Sequence, residues 1–354
     1  MISSKRSPSA RSACRAVSLA TVGVLAVAAA TVQAQAGMPS IPAQAQAQAS
    51  ARWHDTLTVQ GPPDAGCYSA LFPSAIWTPE RCAPPPKHVS PPVHKVVDSR
   101  TGRVTLQAVA PTTGNGNDYA AQTNGLTRSA VGSFPAVTGV NAGGTQPYTL
   151  QINTTTGSNP AACPQYGYSS CSTWQQFLYD TGDGEGASVY IQDWLYVGSA
   201  SEYASKGCPA DWTPYADDQA CYRNSDAISV GYFPLASLGS MRLSGVANQN
   251  GRDVVTLTVN GKSFTASQPA TTLDIARIWK QSEFNVFGYG GDKPLVTFNP
   301  GSTVNVRLNV VDGSTNAPSC LQNAGTTFEQ NNLTLGSCTA SGGTSPGIQF
   351  SESN

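Results

Sequence analysis

The sequence predicts an all-β protein, a β-sandwich or concanavalin-like jelly roll of antiparallel strands. Three observations lead there. From Tyr148 onward the chain is cut into short alternating runs separated by Gly, Asn, Asp and Pro; one pair of runs meets across Asn260-Gly261; and only residues 273–280 carry a helical pattern. The 34 glycines and 25 prolines among 354 residues supply turns for many short strands.

The runs 148–153, 173–179, 188–197 and 241–246 read as the first strands. Asp253-Val-Val-Thr-Leu-Thr-Val259 and Lys262-Ser-Phe-Thr-Ala266 then flank Asn260-Gly261, which provides the two positive-φ positions of a type I′ hairpin. Further strands are expected over 284–287, 295–298, 303–311 and 328–335. Residues 148–354, about 207 in number, suit one such domain.

The preceding residues differ in composition. Lys5, Arg6, Arg11 and Arg15 lead into an apolar run from Ala16 to Ala30 and small-residue sites at Val32-Gln-Ala34 and Ala34-Gln-Ala36, so residues 1–34 read as a secretory signal peptide. No other stretch reaches the ~20 apolar residues of a membrane span, and the mature protein is expected to be secreted, soluble and monomeric. Residues 35–147 comprise a Gln-Ala leader (35–50), a module bracketed by Cys67 and Cys82, and a Pro-rich, then Gly/Asn/Thr-rich linker. The formal charges are +4 for 1–34, +2 for 35–147 and −7 for 148–354. A slightly basic segment ahead of an acidic domain suits a pro-segment that acid releases, with an ordinary linker carrying a Cys-stapled module as the equal alternative. The near-balance of 20 basic and 21 acidic residues excludes nucleic acid as a partner.

Cys14 departs with the signal peptide, leaving Cys67, Cys82, Cys163, Cys171, Cys208, Cys221, Cys320 and Cys338. An even count in an oxidising compartment reads as disulfides, and nearest neighbours are expected to pair: 67 with 82, 163 with 171, 208 with 221, 320 with 338. None of these spacings is the C-x-x-C of a zinc or redox site.

All three histidines, His54, His88 and His94, precede Tyr148, so residues 148–354 contain no imidazole. Ser-His-Asp, Cys-His and His-based zinc chemistry are excluded there, and carboxylates and carboxamides remain, expected to act best at acidic pH. The jelly-roll glucanase pattern Glu-x-Asp-x-x-Glu does not occur. Asp180-Thr-Gly-Asp-Gly-Glu185 reads as a hairpin turn rather than a calcium loop. Asn153-Thr-Thr155 and Asn332-Leu-Thr334 fit the N-glycosylation pattern.

The stretch Cys171-Ser-Thr-Trp-Gln175-Gln-Phe-Leu-Tyr-Asp-Thr181-Gly182, then Tyr190-Ile-Gln-Asp193-Trp194, and later Ser282-Glu283-Phe284-Asn-Val-Phe287 followed by Leu295-Val-Thr-Phe298-Asn-Pro300, resembles the eqolisin, or glutamic peptidase, family over residues 148–338. The resemblance implies a secreted β-sandwich that hydrolyses peptide bonds with a Gln and Glu dyad and needs no metal or cofactor. Glu283 would take a proton from the attacking water and return it to the leaving amine. Gln175, six residues before Thr181-Gly182, would donate to the oxyanion, with Gln176 held in reserve. In a strand, Thr173, Gln175, Phe177 and Tyr179 share one face and Trp174, Gln176 and Leu178 the other. Trp174, Tyr190, Asp193 and Trp194 are candidate substrate-binding residues, with Tyr196 beside them. The partner is then a polypeptide, or a glycan if the sandwich is lectin-like and does not cleave; a surface-adhesion role is a third reading.

Overall fold

A computed structural model describes residues 43–87, 89, 95–97, 104–106, 118–141, 145–182, 184, 186–215, 219–289, 295–322 and 331–354. The expected signal peptide of residues 1–34, residues 35–42, His88, His94, Asp183 and Glu185 lie outside the described residues. Two large antiparallel sheets make the chain the expected β-sandwich. The back sheet runs edge to edge through Thr78–Glu80, Cys67–Leu71, Lys262–Pro269, Arg252–Val259, Arg242–Val246, Ser129–Thr138, Thr303–Val311, Gly347–Ser353 and Thr334–Ser341. The front sheet runs through Thr213–Tyr215, Ala220–Asn224, Ser188–Val197, Cys171–Asp180, Thr149–Asn153, Gln281–Phe287, Tyr119–Gln122 and Ser319–Gln322. Ile228–Ser229 and Gly157–Ser158 add short pairings to it, and Lys95–Val97 pairs with Val104–Leu106 as a separate hairpin.

The core lies between the sheets. Phe177 stacks against Trp279 with centroids 5.8 Å apart, and Phe134 against Phe284 at 5.1 Å. Two back-sheet glycines seat these rings: a Cβ on Gly132 would fall 2.2 Å from the Phe284 ring, and one on Gly245 2.3 Å from that of Phe177. The predicted hairpin forms, with Asn260 at φ 49° and Gly261 at φ 73°. The four disulfides join the expected pairs, 67–82, 163–171, 208–221 and 320–338.

Several local expectations are corrected. The Gln-Ala leader is helical from Ala43, within the helix Ala43–Gln60, because Ala and Gln both favour helix. Gly61 ends it at φ 61°, its N–H bonding the Leu57 carbonyl. Trp53 and Leu57 pack against Tyr68, Ala70 and Trp77 of the edge hairpin. The Cys-bracketed module is thus strands of the back sheet, and Tyr119–Gln122 and Ser129–Thr138 also pair within the sheets, so residue 148 marks no break in either. The stretch 273–280 holds one 3-10 turn, Ile275–Arg277, which follows Asp274 at φ 49°. Residues 295–298 form a single bridge, Val296 to Asn331, and the strand expected over 328–335 begins at Thr334 among the described residues.

Candidate active site

Both faces of the central front strands are covered, so alternation sorts their side chains into an inner set facing the back sheet and an outer set. Phe177 and Phe284 point inward onto Gly245 and Gly132. Gln175, two residues from Phe177, therefore also points inward, whereas Glu283, next to Phe284, points outward. The structure does not bring Gln175 to Glu283. It brings Gln176 there instead: Asn153 stands opposite Glu283 on one side and opposite Gln176 on the other. Two strand spacings separate the pair, on the order of 10 Å between Cα atoms.

The outer floor is one hydrogen-bonded chain. Asn153 Nδ2 donates to Glu283 Oε2 at 2.7 Å, and Gln176 Nε2 donates to Asn153 Oδ1 at 3.0 Å and Gln151 Oε1 at 2.8 Å. Trp194 Nε1 donates to Gln176 Oε1 at 2.9 Å and Gln192 Oε1 at 3.1 Å, and Gln192 Nε2 donates to Asn224 Oδ1 at 2.7 Å. Gln176, Asn153 and Glu283 are fully buried in the whole chain, so Asn153 is no surface glycosylation acceptor. Glu283 has carboxyl neighbours. Burial, then the charges of Glu283 and Glu352, push the Asp118 carboxyl well above its ordinary range, and Asn285 Nδ2 donates to Glu352 Oε1 at 2.9 Å.

At one end of this floor lies an aromatic ledge. Trp174 and Trp194 stack at 6.3 Å and Trp194 and Tyr196 at 6.0 Å, with Tyr215 and Tyr222 against Trp194. Tyr190 stands at the other end, donating to Asp180 Oδ2 at 3.1 Å, and Tyr289 donates to Asp180 Oδ1. Of the four expected substrate-binding residues, Trp174, Tyr190 and Trp194 share the outer floor and Asp193 does not. Asp180 is buried among hydroxyl donors rather than in a solvated turn. Among the described residues no group of three or more His, Cys, Asp or Glu could hold a metal ion.

Asp193 and Gln175 belong to a second, inner polar cluster. Gln175 Nε2 donates to Asp193 Oδ1 at 3.0 Å and to Asp253 Oδ2 at 2.9 Å, and Gln268 Nε2 donates to Asp193 Oδ1 at 3.0 Å. Gln175, Asp193 and Asp253 are fully buried. Burial pushes Asp193 up to about 6 and Asp253 up to about 7 against the pull of these amide donors, so near neutrality the cluster is a bridged pair of weakly acidic carboxyls. It joins the sheets and holds the strand whose next residue is Gln176.

Gln151, Gln192 and Asn224, and the place of Asn153 in this floor, stand in no motif; the signal for Gln151 and Asn153 is polar residues at every second position, Thr149, Gln151 and Asn153, in a strand otherwise apolar.

No protein family of known pattern matches the chain, and no curated protein resembles it. Among solved structures it is similar to Scytalido-glutamic peptidase, crystallised with a peptide based transition state analog. Identity is 16%, over 67% of this chain and 96% of that one, with a TM-score of 0.29. Among the described residues no helix is long and apolar enough to cross a membrane.

Proposed function

We propose that this chain is a secreted, acid-acting endopeptidase of the glutamic-peptidase type, with Glu283 as general base and acid and Gln176, rather than Gln175, as oxyanion donor. The observation that carries the reading is the register Glu283, Asn153, Gln176 on the outer face of the front sheet, joined by hydrogen bonds into one polar floor. Asn153 holds Glu283 Oε2, which aims the carboxylate. A water beside it gives up its proton as it attacks the scissile carbonyl; the same proton then passes to the leaving amine. In the closed chain Gln176 Nε2 spends both hydrogens on Gln151 and Asn153, and the developing oxyanion replaces one of these acceptors. The resemblance of residues 171–182 and 282–287 to the eqolisins supports the same pair of residue types. The four disulfides and the signal-like start suit an oxidising compartment.

The burial of Glu283 and Gln176 suits a latent full-length form. A pro-segment reaching residue 147 would take four strands from the sheets, so we place any releasable portion before Gly61; the helix Ala43–Gln60 itself packs on the back sheet through His54 and Leu57 and does not cover Glu283. The test is cleavage of denatured casein between pH 2 and 7 by the wild type, Glu283→Gln, Gln176→Ala and Gln175→Ala. Glu283→Gln should abolish cleavage, and Gln176→Ala should cost ~10²–10³ in rate. Gln175→Ala should lower stability more than turnover. Equal cleavage by wild type and Glu283→Gln would sink the mechanism. The aromatic ledge also suits a sugar ring, so glycan binding without any cleavage would select the lectin reading.

A further inference from the structure

Beyond the Cys67–Cys82 disulfide the chain crosses onto the outer face of the front sheet. Ala83 exchanges backbone hydrogen bonds with Ala227, at 2.7 and 3.1 Å, and Ala227 packs with Leu178 and Tyr190 of the floor. Three residues on, the Pro86 carbonyl accepts from Asn224 Nδ2 at 2.7 Å. Val89 then rests on the aromatic ledge of Trp174, Trp194 and Tyr196. The hydrogen-bonded chain that begins at Glu283 and passes through Asn153, Gln176, Trp194, Gln192 and Asn224 therefore ends on this strap.

The strap has the chemistry of a bound peptide. Pro84, Pro85 and Pro86 carry no N–H, so an extended run of them leaves no donor unsatisfied and is pre-organised in the polyproline form that aromatic grooves recognise. Asn224 reads a main-chain carbonyl, which every polypeptide offers. Pro85, Pro86 and Lys87 line a cavity of about 590 Å³ together with Tyr222, Asn224 and Gln268, which leaves open space beside the strap.

We propose that the ledge formed by Asn224, Tyr222, Trp194 and Tyr196 is a subsite for an extended, proline-containing polypeptide, and that Pro84, Pro85, Pro86 and Val89 of the chain itself occupy it in the intact protein. That this subsite feeds a cleavage centre rests on the peptidase reading; the binding does not. The strap is then a tethered competitor, and its displacement opens the ledge.

The test uses the full secreted chain in a Glu283→Gln background, where no cleavage complicates binding. Pro84, Pro85, Pro86 and Val89 are replaced together by Gly and Ser, and a synthetic peptide of sequence Ala-Pro-Pro-Pro-Lys-His-Val is titrated by calorimetry. The strap-replaced chain should bind the peptide at least tenfold more tightly than the chain with its strap, and adding Tyr222→Ala should remove the gain. Equal affinity with and without the strap, or no binding to either, overturns the proposal. Val89→Asp, a single change, repeats the comparison should the fourfold variant fail to fold. In the Glu283 background the same strap replacement should raise casein cleavage. A tenfold binding difference without any cleavage would retain the subsite and discard the peptidase reading.

Discussion

Asp193→Asn should stabilise this protein at neutral pH and leave it nearly unchanged in acid. Asp193 is buried between the sheets, and burial, opposed by the Gln175 and Gln268 donors and the charge of Arg223, raises it from 3.8 to about 6. A carboxyl raised on folding contributes stability that is fully present below its unfolded value and is lost as pH rises through the folded one. About two pH units at roughly 1.4 kcal/mol each give a loss on the order of 3 kcal/mol by pH 7. Asparagine resembles the neutral acid. Its Oδ1 keeps both donors, and its amide can serve the buried oxygens Gln175 Oε1 and Gln268 Oε1, which have no hydrogen-bond partner. For a body of roughly 300 residues, 3 kcal/mol corresponds to about 5 °C in Tm. Calorimetric melts at pH 4 and 7.5 check this. The wild type should melt lower at pH 7.5, and Asp193→Asn should recover about 5 °C of that difference, the remainder belonging to Asp253, which burial raises to about 7. A wild-type Tm flat across this range, or a variant that loses as much as the wild type, would refute the reasoning.

Other outcomes follow from the same packing. His54 is fully buried, with Nδ1 2.6 Å from Thr258 Oγ1, and burial followed by the charge of Arg242 lowers it from 6.5 to about 3. Its contribution is lost as pH falls below 6.5, on the order of 3 kcal/mol by pH 4; Trp53 fluorescence should therefore report helix release in acid, and His54→Gln should make it independent of pH. Gly132→Ala would drive a methyl group into the Phe284 ring beside Glu283, costing about 1–3 kcal/mol or more in a chemical melt. Because the displaced strand carries Glu283, casein cleavage should fall further than the stability loss alone explains.

How much was legible in the sequence depends on the range of the cause. Asn260-Gly261 dictates its hairpin through two local φ values, and disulfides between neighbours in the chain need only short loops. The face of Gln175 and Gln176 could not be read that way. In Cys171–Asp180 and Ser188–Val197 both faces are buried, so polar and apolar residues do not alternate, and only the distant Gly132 and Gly245 show which face meets the second sheet. Ser129–Thr138 was hidden for a related reason. Its Gly, Ser and Thr content reads as linker, yet small side chains are what a strand beneath Phe284 requires.

The buried Asp193 and Asp253 act in the opposite direction to the buried His54, and their placement gives that opposition a use. Asp193 and Asp253 lie between the sheets, so acid removes the penalty of their charge and strengthens the sandwich that carries Glu283. His54 lies between the helix Ala43–Gln60 and the back of the sandwich, so acid imposes a charge there and weakens only that attachment. Acidification across pH 7 to 4 would thus tighten the body while loosening its N-terminal helix. A single melt would average the two effects. Following Trp53 fluorescence alongside calorimetry separates them: the helix signal should lose stability as pH falls while the main transition gains it. Parallel movement of both would show that helix and sandwich are one cooperative unit, and would refute release of the helix by acid.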